Sequence, residues 1–178
     1  MIYIVRHGQT DWNNEHRIQG HLDIPLNDKG IEEANFLKNE LADIDFDLVF
    51  SSPLKRAYKT AEIITNKPIR IDDRLIERYN GKLEGCNDLD LIRTLPWNED
   101  IETEYEYEKF SDLRNRVYEF LDEITTNYPD QNILIVTHAG TGIHIRCYFE
   151  GIPKNNDYDS YRIHNCQVLK YDNKRKKI

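Results

Sequence analysis

Two histidines and two arginines stand shortly after apolar runs in the sequence. Arg6 and His7 follow residues 2–5, Arg56 comes soon after residues 48–50, and His138 follows residues 133–136. The planar guanidinium of arginine can hold two phosphate oxygens at once, and a neutral imidazole nitrogen is a nucleophile near pH 7. These residue types therefore predict a positively charged pocket that suits a phosphoryl group.

The apolar runs predict the strands that would position these side chains. Residues 2–5, 48–50 and 133–136 are continuous apolar segments, the pattern of strands covered on both faces. Residues 69–71 are a weaker strand candidate, and residues 167–171 are a candidate edge strand. Because helical patterns alternate with these runs, we expect an α/β fold, a three-layer α/β/α sandwich around a mostly parallel central sheet.

Three segments have the apolar spacing of amphipathic helices. Residues 28–41 form the first, and its buried stripe is expected to consist of Ile31, Ala34, Leu37 and Leu41. The second is expected to open at Ser52-Pro53, with Ser52 as the N-cap and Pro53 in the first turn. The third covers residues 109–127.

The carboxyl ends of parallel strands meet at one edge of a sheet, and ligands bind beyond that edge. The two histidines and two arginines should therefore converge there into a positively charged pocket. We expect the helix starts after Ser52 and Gly140 to offer backbone N–H groups to a bound anion. Gly8 has no side chain that would keep a phosphate away from the backbone.

Composition limits the class of protein. The 178 residues fit one domain, 1–178, and the net charge of −8 disfavours a nucleic-acid partner, which requires a positive surface. No run approaches membrane-spanning length and no signal-peptide core is recognisable, so we expect a cytoplasmic protein with no membrane partner. Three cysteines without a CxxC pair predict buried thiols. The short basic tail, residues 173–178, is expected to be solvated.

Four ordered blocks of sequence carry a resemblance to a known family. They are Arg6-His7-Gly8-Gln9-Thr10-Asp11-Trp12-Asn13 followed by Arg17-Ile18-Gln19-Gly20; Ser51-Ser52-Pro53-Leu54-Lys55-Arg56-Ala57; the spaced residues Leu75, Glu77, Gly81, Glu84 and Gly85; and Val136-Thr137-His138. In this order they resemble the histidine phosphatase superfamily, the phosphoglycerate mutase-like proteins. The resemblance runs from residue 2 to residue 145, and residues 165–168 are similar to the family's last strand.

The resemblance implies catalytic roles for five residues. His7 matches the nucleophile that accepts the phosphoryl group as a phosphohistidine before water releases it. Arg6, Arg56 and His138 match the residues that surround the phosphate and stabilise charge on its oxygens. Glu77 matches the proton donor to the leaving group. Spacing alone does not separate Glu77 from Glu84, which the family pattern leaves to a structural hydrogen bond or cap.

Four further residues match positions that line the phosphate or the mouth of the substrate site: Asn13, Gln19, Gly20 and Ala139. Gln19 and Gly20 fit a simple turn equally well. Ala139 could contribute only its backbone N–H. The resemblance implies no metal and no other cofactor.

The implied activity is a phosphomonoester hydrolase acting on a small-molecule phosphate ester. One alternative is a cofactor-dependent phosphoglycerate mutase. Hydrolysis is favoured because a mutase needs extra segments to keep water from its intermediate, and the chain is short between Gly85 and Phe110. A non-catalytic phosphate-binding module is a second alternative, although His7 and Glu77 are both retained. A metallohydrolase has no supporting HExxH motif. The substrate and the oligomeric state stay open.

An acidic stretch between residues 99 and 108 contains Tyr105 and Tyr107, each set between glutamates. One interpretation is a solvated loop with two half-buried rings. The other places the tyrosines at the mouth of the active site, where they would contact substrate. In that case, the carboxylates beside them would repel highly charged esters such as bisphosphates.

Overall fold

The computed structural model describes residues 1–173; residues 174–178, with the four basic residues of the predicted tail, lie outside the described residues. The strands are β1 (Ile2–Arg6), β2 (Leu48–Ser51), β3 (Ile69–Ile71), β4 (Ile133–Thr137) and β5 (Val168–Tyr171). The α-helices are α1 (Asp11–Asn14), α2 (Asp28–Glu40), α3 (Lys55–Ile64), α4 (Leu89–Thr94), α5 (Phe110–Asn127) and α6 (Ala139–Glu150). Short 3₁₀ turns cover Asp73–Leu75, Gly81–Leu83, Lys154–Asn156 and Tyr158–Tyr161.

The strands form one sheet in the order β3-β2-β4-β1-β5. β4 lies in parallel between β1 and β2, and β2 also pairs in parallel with β3. β5 is antiparallel to β1 at the edge. Every residue of β2 and β4 is buried, as expected for apolar runs covered on both faces. The predictions of an α/β fold, a mostly parallel sheet and a final edge strand are confirmed.

Side chains alternate between the two faces of the sheet, and helices cover both faces. In β1, Ile2 and Ile4 pack in the core layer that contains residues of α5 and α6, whereas Tyr3 and Val5 pack in the layer that contains residues of α2 and α3. This alternation follows from the two-residue period of a strand. The three-layer sandwich predicted from the sequence is therefore confirmed.

The buried stripe of α2 differs from the predicted one at its first position. Ala34, Leu37 and Leu41 are buried, but Ile31 is 39% exposed and Gly30 is buried in its place. One residue along a helix turns the side chain by about 100°. The stripe that begins at Gly30 therefore leaves Ile31 at the edge of the interface.

The start of α3 also differs from the prediction. The helix begins at Lys55 with Leu54 as its N-cap, so Ser52 is not the N-cap and Pro53 is not in the first turn. The Ser52 hydroxyl accepts the Leu54 N–H at 3.3 Å and lies 2.7 Å from Nε2 of His138. This polar contact across the sheet holds residue 52 in the loop, so the helix begins only after Leu54.

Gly8 is required by packing against α2. A Cβ at Gly8 would lie 2.5 Å from the carbonyl oxygen of Gly30, and a Cβ at Gly30 would lie 2.1 Å from that of Gln9. The contact that requires a glycine here is that of two protein backbones, and the approach of a phosphate to Gly8 stays a prediction.

The three cysteines are free, and they differ in burial. Cys147 is buried, whereas Cys86 and Cys166 are half-buried, so the prediction of buried thiols holds for one of the three.

Within residues 1–173, no helix combines the length and apolarity needed to cross a bilayer.

The buried His144 on α6 predicts loss of stability in acid. Burial, with smaller contributions from nearby arginines, lowers its pKa to about 3. The unfolded chain takes up this proton near pH 6.5 and the folded chain does not, so folding stability falls as the pH drops from 6.5 toward 3. Between pH 7 and pH 5 this one group removes roughly 2 kcal/mol. Urea unfolding should therefore show a smaller acid loss in His144→Leu than in the wild type.

His16 supplies the matched control, because it is exposed and has a positive φ that asparagine also tolerates. His16→Asn should keep the full acid loss of the wild type. An acid loss in His144→Leu equal to that of the wild type would show that His144 does not control this transition.

Candidate active site

His7 lies in the loop that leaves β1, at the carboxyl edge of the sheet. Its backbone N–H donates to the carbonyl of Thr137 at 3.0 Å, which extends the pairing of β1 with β4 by one residue. Nδ1 of its ring lies 2.7 Å from the carbonyl oxygen of Gly8. A carbonyl can only accept, so Nδ1 carries the hydrogen and Nε2 keeps its free lone pair.

The environment of His7 keeps its imidazole neutral. Burial holds its pKa well below the usual value, and the positive charges of Arg56 and Arg6 lower it further. A neutral ring with an unprotonated Nε2 is the nucleophilic form of histidine.

Arg56 is buried and Arg6 is half-buried, and backbone carbonyls hold the guanidinium groups of both. Arg6 donates to the carbonyl of Ile163 at 3.0 Å, and Arg56 donates to those of Gly20 and Leu22, each at 2.8 Å. Burial lowers the pKa of Arg56 to about 10, so it remains charged at neutral pH. In both residues Nε is buried without a partner among the described residues. An oxyanion bound between them would supply acceptors that the protein does not.

His138 lies beside His7, with 5.1 Å between their ring centroids. Burial, followed by the charge of Arg56, holds the pKa of His138 well below its usual value. Its Nε2 contacts the Ser52 hydroxyl at 2.7 Å, and its Nδ1 is buried without a partner within residues 1–173. The sequence pattern predicted Ser52 only as a helix N-cap and not as a partner of His138, although Ser52 lies in the same sequence block as Arg56.

Glu77 occupies the N-terminus of α6. Its Oε2 accepts the N–H of Gly140 and its Oε1 accepts that of Thr141, both at 3.1 Å. A Cβ at Gly140 would lie 2.6 Å from Oε1, which explains the glycine. The prediction that N–H groups after Gly140 face a bound phosphate is therefore wrong, because a side-chain carboxylate already accepts the first of them. The charge of Glu77 also acts on both Arg6 and Arg56, so all three groups share one site.

A family model for the histidine phosphatase superfamily (branch 1) matches residues 2–178. The chain belongs to this superfamily. Nearly the whole sequence is covered, so the resemblance seen in four blocks extends through the last strand.

Relatives of this histidine phosphatase include named phosphatases. The uncharacterized phosphatase PhoE of Bacillus subtilis is 36% identical over 146 residues, which cover 80% of this chain and 73% of PhoE. Phosphoserine phosphatase 1 of Hydrogenobacter thermophilus is 33% identical over 148 residues, covering 78% of this chain and 70% of the relative. The mycobacterial glucosyl-3-phosphoglycerate phosphatase, solved with VO3, superposes with a TM-score of 0.81 at 25% identity over 94% of this chain and 90% of that one. The protein is accordingly a phosphatase of the histidine phosphatase type.

Glu84, the alternative acid, lies in a structural position in this histidine phosphatase. Its Oε1 accepts the backbone N–H groups of His21 and Asn80, at 2.8 and 3.1 Å. Gly20 has a φ of +52°, and a Cβ there would collide with the Glu84 carboxylate. Glu84 therefore supports the turn that contains Gly20, as the family pattern suggested.

Asn165 is a site residue that the sequence motifs did not identify. Its side-chain amide donates to the carbonyl of His7 at 2.8 Å and to Oδ1 of Asn13 at 3.3 Å. Asn13 thus lies against the loop of His7, although its role toward substrate stays a prediction. The signal for Asn165 was its place at the start of the block similar to the family's last strand.

Thr60 joins α3 to the loop that contains His7 and Gly8. Its hydroxyl donates to the carbonyl of Arg56 at 2.7 Å and accepts the N–H of Gly8 at 3.0 Å. No local pattern in the sequence predicts this contact, because Gly8 and Thr60 are 52 residues apart.

The other two predicted binding residues also lie at this edge of the sheet. Gln19 is buried beside the Gly20 turn, and its Oε1 has no partner among the described residues. Ala139 is the first residue of α6, directly after His138. Their contacts with substrate stay predictions.

In the acidic stretch the two tyrosines differ. Tyr107 is buried against Trp97, with ring centroids 5.2 Å apart, and the Arg78 guanidinium lies 4.9 Å from its ring. Tyr105 is half-buried, so the description of two half-buried rings is right for Tyr105 and wrong for Tyr107. A contact between Tyr105 and substrate stays a prediction.

In the described part of the chain, no group of three or more His, Cys, Asp or Glu side chains could hold a metal.

Proposed function

We propose that this phosphatase hydrolyses small phosphate monoesters in two steps, through a phosphohistidine on Nε2 of His7. The observation that carries the proposal is the hydrogen bond from Nδ1 to the carbonyl of Gly8, which leaves Nε2 as the free lone pair of a neutral, buried ring. The guanidinium groups of Arg6 and Arg56, whose positive charges act on this ring, fit the three non-bridging oxygens of a phosphoryl group.

In the first step Nε2 attacks phosphorus, and the bond from phosphorus to the ester oxygen breaks. Arg6, Arg56 and His138 stabilise the charge that develops on the phosphoryl oxygens. Glu77 transfers a proton to the departing alkoxide, which leaves as an alcohol.

In the second step a water molecule attacks phosphorus and the bond from phosphorus to Nε2 breaks. The Glu77 carboxylate, now deprotonated, takes the proton of that water. Inorganic phosphate is released, and His7 returns to its neutral form with Nδ1–H on the carbonyl of Gly8. Protons and phosphoryl groups balance over the cycle, and the same carboxyl group serves as acid and then as base.

A small phosphorylated metabolite is the substrate class that these relatives support. Their names specify phosphoserine and glucosyl-3-phosphoglycerate, both phosphate esters of alcohols. Such substrates have poor leaving groups, so an acid at Glu77 is needed to protonate the alkoxide.

The test is to trap the intermediate. Mixing the enzyme with a radiolabelled aryl phosphate and quenching in alkali should leave about one phosphoryl group per chain at saturation. The label should map to the peptide containing residue 7, survive alkali and be lost in acid, as expected for a phosphoramidate.

His7→Ala should carry no label, whereas His16→Asn, which changes an exposed histidine outside the site, should be labelled as fully as the wild type. Full turnover by His7→Ala would overturn the proposal. Release of inorganic phosphate from 3-phosphoglycerate, without interconversion of phosphoglycerates when a bisphosphate cofactor is added, separates the hydrolase from a mutase.

A further inference from the structure

Arg116 on α5 lies behind the segment that contains Glu77, and all of its donors are used. Nη1 donates to the backbone carbonyls of Arg74 and Ile76 at 2.7 and 2.8 Å, and Nη2 donates to that of Glu77 at 3.1 Å. Nε and Nη2 donate to the two carboxylate oxygens of Glu108 at 2.8 and 3.0 Å. A guanidinium has five N–H groups, and each here has an acceptor.

Glu108 holds this arginine and also contacts the same segment directly. The side chains of Arg116 and Glu108 are 19% and 16% exposed, so solvent screens their two-point contact only partly. The Glu108 N–H donates to the carbonyl of Tyr79 at 2.9 Å, and its Oε2 accepts the Tyr79 N–H at 3.3 Å. Arg78 donates to the carbonyl of Glu108 at 2.8 Å. One ion pair therefore fixes backbone on both sides of residue 77.

The segment around Glu77 needs such support because it is not part of the sheet. It leaves a short 3₁₀ turn, Asp73–Leu75, and continues without strand pairing. The Glu77 side chain is held by the N-terminus of α6, while Arg116 on α5 holds its backbone from a different element. The position of the carboxyl group therefore depends on both helices.

We propose that Arg116, held in place by its ion pair with Glu108, is a positioning residue that orients the Glu77 carboxyl group toward the leaving group. The proposal rests on the proposed function, in which Glu77 is the acid. Arg116 does not itself touch substrate in this arrangement, because its five N–H groups are already occupied by protein acceptors. Its loss should affect the step that needs a proton and spare the attack by His7.

The test compares an alkyl phosphate such as glycerol phosphate, whose leaving group needs a proton, with p-nitrophenyl phosphate, whose leaving group does not. Lysine at position 116 keeps the charge but has three donors instead of five. Arg116→Lys should lower kcat on the alkyl ester roughly 10- to 100-fold at nearly constant KM, as expected for a displaced acid. On the aryl ester the first-turnover burst of p-nitrophenolate, which is complete before Glu77 acts as base toward water, should slow by less than about threefold. Glu108→Gln, which keeps the shape of the Glu108 side chain but removes its charge, should show the same selectivity to a smaller degree.

Arg74→Gln is the matched control. Arg74 joins the same 3₁₀ turn to the same helix, through Glu119 and Glu123, but its side chain makes none of the contacts to residue 77. This variant should leave the ratio of the two substrate rates unchanged. Thermal unfolding of all variants checks that they are folded, and Glu108→Gln carries the test if Arg116→Lys does not fold.

A double variant decides whether Arg116 acts through Glu77. In a Glu77→Gln background, Arg116→Lys should cause no further loss on the alkyl ester, because the group that it positions is gone. Equal losses on both esters, or full additivity in the double variant, would overturn the positioning role while leaving the acid assignment intact. If Glu77→Gln alone lacks substrate selectivity, the acid assignment fails, and the role of Arg116 fails with it.

Discussion

His7→Gln should abolish turnover while leaving the folded protein and its phosphate site in place. Glutamine is neutral, like the imidazole it replaces, but its amide nitrogen has no lone pair available for attack on phosphorus. Removing the nucleophile of a covalent mechanism lowers kcat/KM by at least about 10⁴-fold. Steady-state hydrolysis of p-nitrophenyl phosphate measures the loss.

Binding of inorganic phosphate separates lost chemistry from a lost site. A ligand that binds only the folded state raises Tm, and the two arginines remain in His7→Gln, so added phosphate should still stabilise the variant. Arg56→Met is the counterpart: it keeps the nucleophile and should lose most of that rise. A His7→Gln protein that retains more than a few per cent of wild-type activity would exclude His7 as the nucleophile.

Much of the scaffold could be predicted because its strands are buried on both faces. The runs around Ile4, Phe50 and Ile135 needed no partner information, since a continuous apolar segment of this length has few other uses in a small α/β domain. The sequence places Arg6, His7 and His138 at the ends of predicted strands, and the structure brings all three to one edge of the sheet. Local pattern was sufficient here because parallel strands align their carboxyl ends.

What could not be predicted are contacts between residues far apart in sequence. The Glu77 carboxylate binds the N–H of Gly140, 63 residues away, and the Ser52 hydroxyl contacts His138, 86 residues away. Neither pairing leaves a periodic signal in the sequence. The start of α3 was predicted wrongly for the same reason, because Ser52 resembles a helix cap as long as its long-range partner is unknown.

The net negative charge of the chain does not conflict with a pocket that binds an anion. Glu106 pairs with Lys82 at 2.7 Å, and Glu108 pairs with Arg116, so two carboxylates of the acidic stretch are neutralised locally. In the active site, Arg56 is buried and charged, and Arg6 is half-buried. A protein with a net charge of −8 can therefore keep a pocket for an anion, because net charge describes the exterior and buried groups set the local field.

Glu77→Gln should slow the hydrolysis of alkyl phosphates far more than that of aryl phosphates. Glutamine cannot supply a proton to a leaving alkoxide, and general acid catalysis contributes about 10²- to 10⁴-fold when the leaving group is poor. A p-nitrophenolate leaves without a proton, so its first-turnover burst, which precedes the attack by water, should slow by less than about tenfold. The amide also turns a donor toward one of the N–H groups of Gly140 and Thr141, which should cost roughly 1–2 kcal/mol of folding stability. Paired kinetics on glycerol phosphate and p-nitrophenyl phosphate, with urea unfolding, measure both effects.

Glu84→Gln is the matched control, because both carboxylates stand in one sequence block and only geometry separates them. Both backbone donors to Glu84 use the same oxygen, Oε1, so the amide oxygen of glutamine can replace it without facing a donor. This variant should show no selectivity between the two esters. If the alkyl-specific loss belongs to Glu84→Gln, and Glu77→Gln slows both esters equally, the two roles are exchanged. In that event, the carboxylate at the N-terminus of α6 is a helix cap, and the proton comes from the turn beside Gly20.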